Sequence, residues 1–308
     1  MCSIGSGLIT FRRRFCWLFA FGLYLLPTAA AVQAKSPEMG EKRDVVYARR
    51  GGNALLLDAY LLNGPDSHPA VVFVHGGGFV AGDKAPCPSY ILAPYLEHGY
   101  SVISVNYRLA PQHPFPAPIE DVTAAIVYVQ QNASEWRINR SQLVLTGESA
   151  GGLISALVGV TLPEKNRVAA VIPMCGEFDL ELRLSEDPCF MDGHMIARPP
   201  GGCMSKGLAA FFGFSSVTTD AESATIRAAS TITHIRVDMP PYLLVHGTRD
   251  HGVPFEQSVS LQQAMLKKGA DCTLFPVIGG GHGNWTPQQW QDVENVEFAW
   301  LKQKMLRP

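Results

Sequence analysis

The sequence predicts an α/β fold, a mostly parallel central sheet with helices on both faces. Three observations carry the prediction. Short, continuously apolar runs such as Ala70–Val74 read as strands buried on both sides. These runs alternate with segments of helical spacing, as at Val122, Ala125, Ile126 and Val129. Several of them end in glycines, at Gly76-Gly77-Gly78, Gly147 and Gly279-Gly280-Gly281, as a sheet needs where strands turn sharply at one edge. The 308 residues are 47% hydrophobic, which suits a large core and one or two domains.

Taken in order, the chain opens on Arg12-Arg13-Arg14, an apolar run from Phe15 to Leu26, and a small-residue end at Val32-Gln33-Ala34. That order describes an export signal over residues 1–34, which implies a secreted or periplasmic protein. A retained anchor stays open as the alternative, although the run is short for a membrane span. Residues 35–308 are then expected to form a single domain. Its first elements are two β-prone runs, Val45-Val46-Tyr47 and Leu55–Tyr60, joined at Gly51-Gly52 as a hairpin. The strand Ala70–Val74 follows, then a helix near residues 88–98 and a strand at Tyr100–Val105. Pro111 to Pro118 is proline-rich and extended, and a helix runs from Ile119 to Gln131. Further strands are expected at Leu143–Thr146, Val168–Ile172, Tyr242–Val245 and Cys272–Val277. Between them, residues 180–238 lack a clean strand and read as an insertion, a lid over the C-terminal edge of the sheet.

Charge excludes one class of partner. Charged residues are 17% and the formal net charge is −2, with no basic stripe after residue 50, so no nucleic-acid binding is expected. Beyond the signal remain Cys87, Cys175, Cys189, Cys203 and Cys272. Cys189 and Cys203 share one loop-like segment and are the preferred disulfide pair, whereas Cys175 and Cys272 read as small core residues. The cysteine spacing fits no zinc site, and no metal is expected.

The chemistry concentrates at Leu143–Gly152, where a strand turns into a helix through Gly147-Glu148-Ser149-Ala150-Gly151. A G-x-S-x-G turn places a serine at a strained apex, with glycines letting strand and helix pass closely. Serine needs a base, and the base needs a carboxylate to fix its tautomer. Asp250 and His282 each follow an expected strand, so both project to the same rim as Ser149, in the chain order Ser, Asp, His. His246 and His251 stand too near Asp250 in sequence to turn toward Ser149. His75 reads as a prop for its glycine turn. The glycines after Val74 offer backbone N–H groups, and the oxyanion donors are assigned to Gly77, Gly78 and Ala150, with Gly76 as substitute. Phe79 and Trp285 are candidates for an apolar substrate wall. Phe211, Phe212 and Phe214 read either as part of that wall or as core residues that anchor the lid.

HGGGF at 75–79, YRLAP at 107–111, GESAGG at 147–152, HGTRD at 246–250 and GGGHGNW at 279–285 together resemble the esterase branch of the α/β-hydrolase fold. HGGG with GESAGG is similar to the hormone-sensitive-lipase-like esterases, although the helical cap that precedes the sheet in that group is replaced here by a hairpin-sized segment. The short start and the 246–285 tail look closer to bacterial acetylxylan or feruloyl esterases. The resemblance implies a serine carboxylic-ester hydrolase without cofactor, acting through an acyl-serine on short-chain or carbohydrate-linked esters. An exopeptidase or amidase of the same fold, and a catalytically silent binding protein, are the alternatives.

Overall fold

The computed structural model describes residues 39–186, 189–191, 194–198 and 202–305; the expected export signal lies outside them. The chain begins with the hairpin: β1 (Met39–Arg50) and β2 (Asn53–Leu62) pair antiparallel. Gly51 and Gly52 both hold positive φ, 54° and 85°, which is why the turn carries two glycines. β1 is mostly exposed along its length, and its register slips twice, between Lys42 and Val45 and between Val46 and Ala48.

β3 (His68–Val74), α1 (Ser89–Glu97), β4 (Ser101–Val105), α2 (Ala117–Gln131), β5 (Ile138–Glu148), α3 (Ala150–Thr161) and β6 (Ala170–Met174) then alternate as the periodicity predicts. After the insertion come β9 (Tyr242–Gly247), α7 (Glu256–Lys267), β10 (Cys272–Val277) and α8 (Pro287–Met305). The eight strands lie in the order β1-β2-β4-β3-β5-β6-β9-β10, with β1, β2 and β4 joined by antiparallel pairings and the rest parallel. β10 is the far edge and carries Pro276, which has no ladder N–H to offer.

The continuous apolar runs are explained by two cores. Alternate residues of β3 face opposite ways: Ala70, Val72 and Val74 pack with α2, α3 and α7, whereas Val71 and Phe73 pack with α1 and α8. All five are fully buried, and a buried side chain of valine or phenylalanine size contributes about 1.5–3 kcal/mol. Cys175 and Cys272 are buried free thiols in these cores, as is Cys87.

The expected insertion is more regular than its sequence suggests. It holds α4 (Leu180–Ser185), a short antiparallel pair β7 (Cys189–Met191) and β8 (His194–Ile196), α5 (Lys206–Phe212) and α6 (Asp220–Ala229). α6 starts on a reciprocal cap: the Thr219 hydroxyl accepts from the Glu222 N–H while Glu222 accepts from the Thr219 N–H. The expected Cys189–Cys203 disulfide depends on the side chain of Cys189, which lies outside the described residues. Among the described residues, no helix is long and apolar enough to cross a membrane.

Candidate active site

The site grows from one close approach of three backbones. A Cβ on Gly147 would meet the Gly151 carbonyl oxygen at 2.3 Å, and one on Gly151 would meet that of Val74 at 2.1 Å. Only glycine at both positions lets β5 and α3 meet so tightly beside β3. Ser149 sits at the joint with φ 53° and ψ −119°, a strained geometry for a residue with a side chain, and its N–H is held by the Met174 carbonyl at 2.9 Å. Ala150 opens α3, so its N–H has no acceptor within the helix.

Two distant pieces of chain build a relay onto this hydroxyl. His282 follows β10, and its Nε2 lies 2.8 Å from Ser149 Oγ. Its Nδ1 lies 2.7 Å from Asp250 Oδ2. A carboxylate can only accept, so Nδ1 carries the proton and Nε2 turns a lone pair toward the serine. Asp250 is buried, and its other oxygen accepts from the N–H groups of Gly252 and Val253, both at 2.8 Å. Burial works against its charge, yet the hydrogen bonds from His246 and His282 hold the carboxyl well below the ordinary aspartate value. For His282 burial opposes the cation, but the Asp250 carboxylate and the charges of Glu177 and Glu148 outweigh it and raise the pKa above the usual histidine value.

The glycine turn after β3 is braced from beneath. His75 stacks on Tyr107 with centroids 4.5 Å apart, and its Nδ1 donates to the Gly76 carbonyl at 2.7 Å. Tyr107 donates to the His75 carbonyl at 3.1 Å, and Arg108 clamps the buried Asp121 of α2. The YRLAP segment is thus the strut that fixes the turn, and His75 props it as the sequence suggests. Gly77 takes φ 110°, where a Cβ would lie 2.2 Å from the Ala81 carbonyl oxygen. Gly77 and Gly78 line the same cleft as Ser149 and His282, a space of about 570 Å³.

Phe79 requires a correction. Its side chain is 2% exposed, belongs to the core on the α2 and α3 face, and stacks on Phe211 of α5 at 4.1 Å. It forms no part of the cleft wall; it fastens the insertion to the glycine turn. Phe211 and Phe212 are buried with it, so they too act as anchors. Trp285 does line the cleft, nearly buried, with its Nε1 donating to the Gly281 carbonyl at 2.9 Å. Wall residues that the sequence does not single out include Tyr90 of α1, Glu148 within the elbow, Met174 and Cys175 at the end of β6, Asn284, and Trp290 of α8. The helical spacing of Trp290, Val293 and Leu301 was the available signal for the last.

Cys175, His246 and Asp250 present ligand atoms within 4.8 Å of one another. They do not fit a metal ion. Both His246 nitrogens are engaged, Nδ1 by the Ser258 hydroxyl at 2.7 Å and Nε2 by the Val253 carbonyl at 2.9 Å. Burial pushes the Cys175 thiol far up, so it stays protonated.

A serine, an imidazole and a carboxylate in hydrogen-bond sequence beside a glycine turn define a hydrolase-type site on an α/β-hydrolase scaffold. The profile of the BD-FAE family matches residues 57–265, and the chain belongs to that family. Among curated proteins it is similar to Esterase LipC of Mycobacterium tuberculosis, 29% identical over 260 residues that cover 79% of this chain and 59% of that protein. It is also similar to the probable carboxylic ester hydrolase LipM of the same organism, 26% identical over 62% of this chain and 43% of that protein. The chain spans about half the length of these curated relatives. Among solved structures, a truncated carbohydrate esterase from gut microbiota superposes with TM-score 0.71 and 28% identity, covering 87% of this chain and 99% of that one. An arylesterase superposes with TM-score 0.70 at 20% identity, over 88% of this chain and 86% of its own, which speaks to the fold.

Proposed function

We propose that this protein is a serine carboxylic-ester hydrolase. The observation that carries the reading is the continuous relay from Ser149 Oγ to His282 Nε2 at 2.8 Å and from His282 Nδ1 to Asp250 Oδ2 at 2.7 Å. Ser149 attacks the ester carbonyl carbon as His282 takes its proton. The carbonyl oxygen gains the negative charge and rests on the N–H groups of Gly77, Gly78 and Ala150, each donor worth about 3 kcal/mol. Collapse of this tetrahedral species breaks the bond to the alcohol oxygen, which leaves with the proton from His282. Water, deprotonated by the same imidazole, then attacks the acyl-serine and releases the acid.

Short-chain acyl esters, free or linked to carbohydrate, are the substrate class we assign. The bounded cleft, its aromatic wall and the likeness to a truncated carbohydrate esterase, over 87% of this chain, support it. We assign the 180–238 insertion, held to the glycine turn by the Phe79–Phe211 stack, as a lid, and we take the signal expected over residues 1–34 to direct the enzyme out of the cytoplasm. An alkyl fluorophosphonate tests the assignment directly. The adduct is expected on Ser149 alone, with loss of nitrophenyl acetate hydrolysis in proportion to labelling; an adduct on another residue at full inactivation sinks the reading.

A further inference from the structure

Beside the aromatic wall of the cleft lies a second, half-open groove of about 420 Å³, set between α1 and α8. The two spaces share Tyr90, Met174 and Trp290. What separates them is therefore made of side chains rather than backbone. The Tyr90 and Trp290 rings stack with centroids 4.2 Å apart and planes 20° apart. Trp290 also meets Trp285, at 4.4 Å. Tyr90 donates its hydroxyl to the Glu148 carboxylate, which pins the stack to the residue next to Ser149.

The direction of the reaction says which part of a substrate meets this stack. His282 returns its proton to the leaving oxygen, so the alcohol lies against His282 and the loop that continues through Gly283 and Asn284 to Trp285. Trp285 leads straight to Trp290. The groove thus continues the alcohol side of the cleft. Its walls are apolar at Ile91, Pro94 and Val293, while Glu97, Glu294 (which meets His98 at 3.2 Å) and Glu297 supply its carboxyl groups, and among the described residues no lysine or arginine lines it. Glu297 is buried under the Tyr95 hydroxyl, and burial pushes its pKa up to about 7.

We propose that the Tyr90–Trp290 stack is the partition that sets alcohol specificity. It stops the leaving group at the cleft wall, and removing it opens the groove, which takes uncharged or cationic alcohols and refuses carboxylate-bearing ones. The proposal rests on the hydrolase reading at Ser149. It belongs to this chain's own side chains, since a smaller residue at position 290 would merge the two spaces.

The test compares kcat/KM for methyl acetate, benzyl acetate, and benzyl acetates bearing a para aminomethyl or a para carboxylate group. Wild type, Trp290→Ala and Trp290→Phe are run in parallel. A nitrophenyl series from acetyl to dodecanoyl serves as the acyl-side control. Trp290→Ala should raise the benzyl-to-methyl ratio by about tenfold or more, the scale on which pocket room discriminates apolar groups. The aminomethyl ester should share that gain, the carboxylate should not, and the acyl-length profile should stay as in wild type. Trp290→Phe retains a ring and should keep the wild-type ratio. Because each ratio is taken within one variant, partial loss of folded protein cancels. An unmoved ratio in Trp290→Ala, or a gain confined to the acyl series, overturns the partition while wild-type acetate hydrolysis leaves the Ser149 reading standing. A wild type inert toward every ester would remove that reading first.

Discussion

Two histidines point at one carboxylate, and their surroundings divide the work between them. His246 belongs to β9, is fully buried, and places Nε2 3.3 Å from Asp250 Oδ2 while the Val253 carbonyl takes the better share at 2.9 Å. Its other nitrogen meets the Ser258 hydroxyl, so both ends of the ring are spoken for. His282 sits on a loop after β10 with its side chain about a third exposed, and commits only Nδ1 to Asp250. Its Nε2 remains for Ser149. On the proposed mechanism the same ring therefore becomes a rigid brace or a proton carrier according to whether one nitrogen is left for the cleft. Proximity to the carboxylate alone does not decide it.

The sharpest way to break this contrast is to remove each ring in turn. His282→Ala should lower kcat on the order of 10⁶-fold with the fold intact, as Ser149→Ala should, because the two act as one unit. Steady-state turnover of nitrophenyl acetate measures both, and residual activity within a hundredfold of wild type for either would end the division of labour. Asp250→Asn touches both histidines at once. It should cost about 10⁴-fold in kcat, since an amide that donates toward Nδ1 selects the wrong tautomer of His282. His246→Gln should behave differently in kind. It should lose on the order of 1–3 kcal/mol of stability in urea unfolding, the cost of disturbing a buried hydrogen-bonded group, while retaining most of its kcat. A loss of turnover comparable to that of Asp250→Asn would show that the brace shares in the chemistry.

The smallest effect is the most discriminating. The base must be neutral to accept the serine proton, so kcat/KM falls as pH drops through the folded-state pKa of His282. That pKa is raised, so the acid limb should lie above the ordinary histidine value of about 6.5. In His246→Gln the limb should stay in place, because Asp250 keeps its bonds to Gly252, Val253 and His282. A limb that moved in His246→Gln would show that the brace reaches the base through Asp250.

Much of this was legible in the sequence because the physics is local. Glycines at 147 and 151 are required by backbone contact, and the apolar runs of β3, β5, β6 and β9 are buried on both faces, so spacing alone locates them. Asp250 and His282 follow strands of one parallel sheet, so they share its edge with Ser149 whatever the details of the loops. Phe79 was misplaced because adjacency to a glycine turn says nothing about which face a side chain takes. Its positive φ of 68° turns the ring down onto Phe211. Trp290 was missed because α8 is amphipathic and mostly polar, and its cleft contact arises from packing against α1 across a long stretch of chain. The helices of the insertion escaped notice because α4 and α5 are short and take their order from tertiary contact.

The two borders of the sheet also bear on how the molecule behaves in company. A bare strand border invites a neighbouring chain to add itself by main-chain pairing. On one side the paired register slips and the charged side chains of Glu41, Lys42 and Arg43 spoil the flat template; on the other, Pro276 withholds a donor one residue from the strand's end. Crowding should therefore leave such molecules discrete rather than stitched into ribbons, and the open rim beside Ser149 stays free for what diffuses to it.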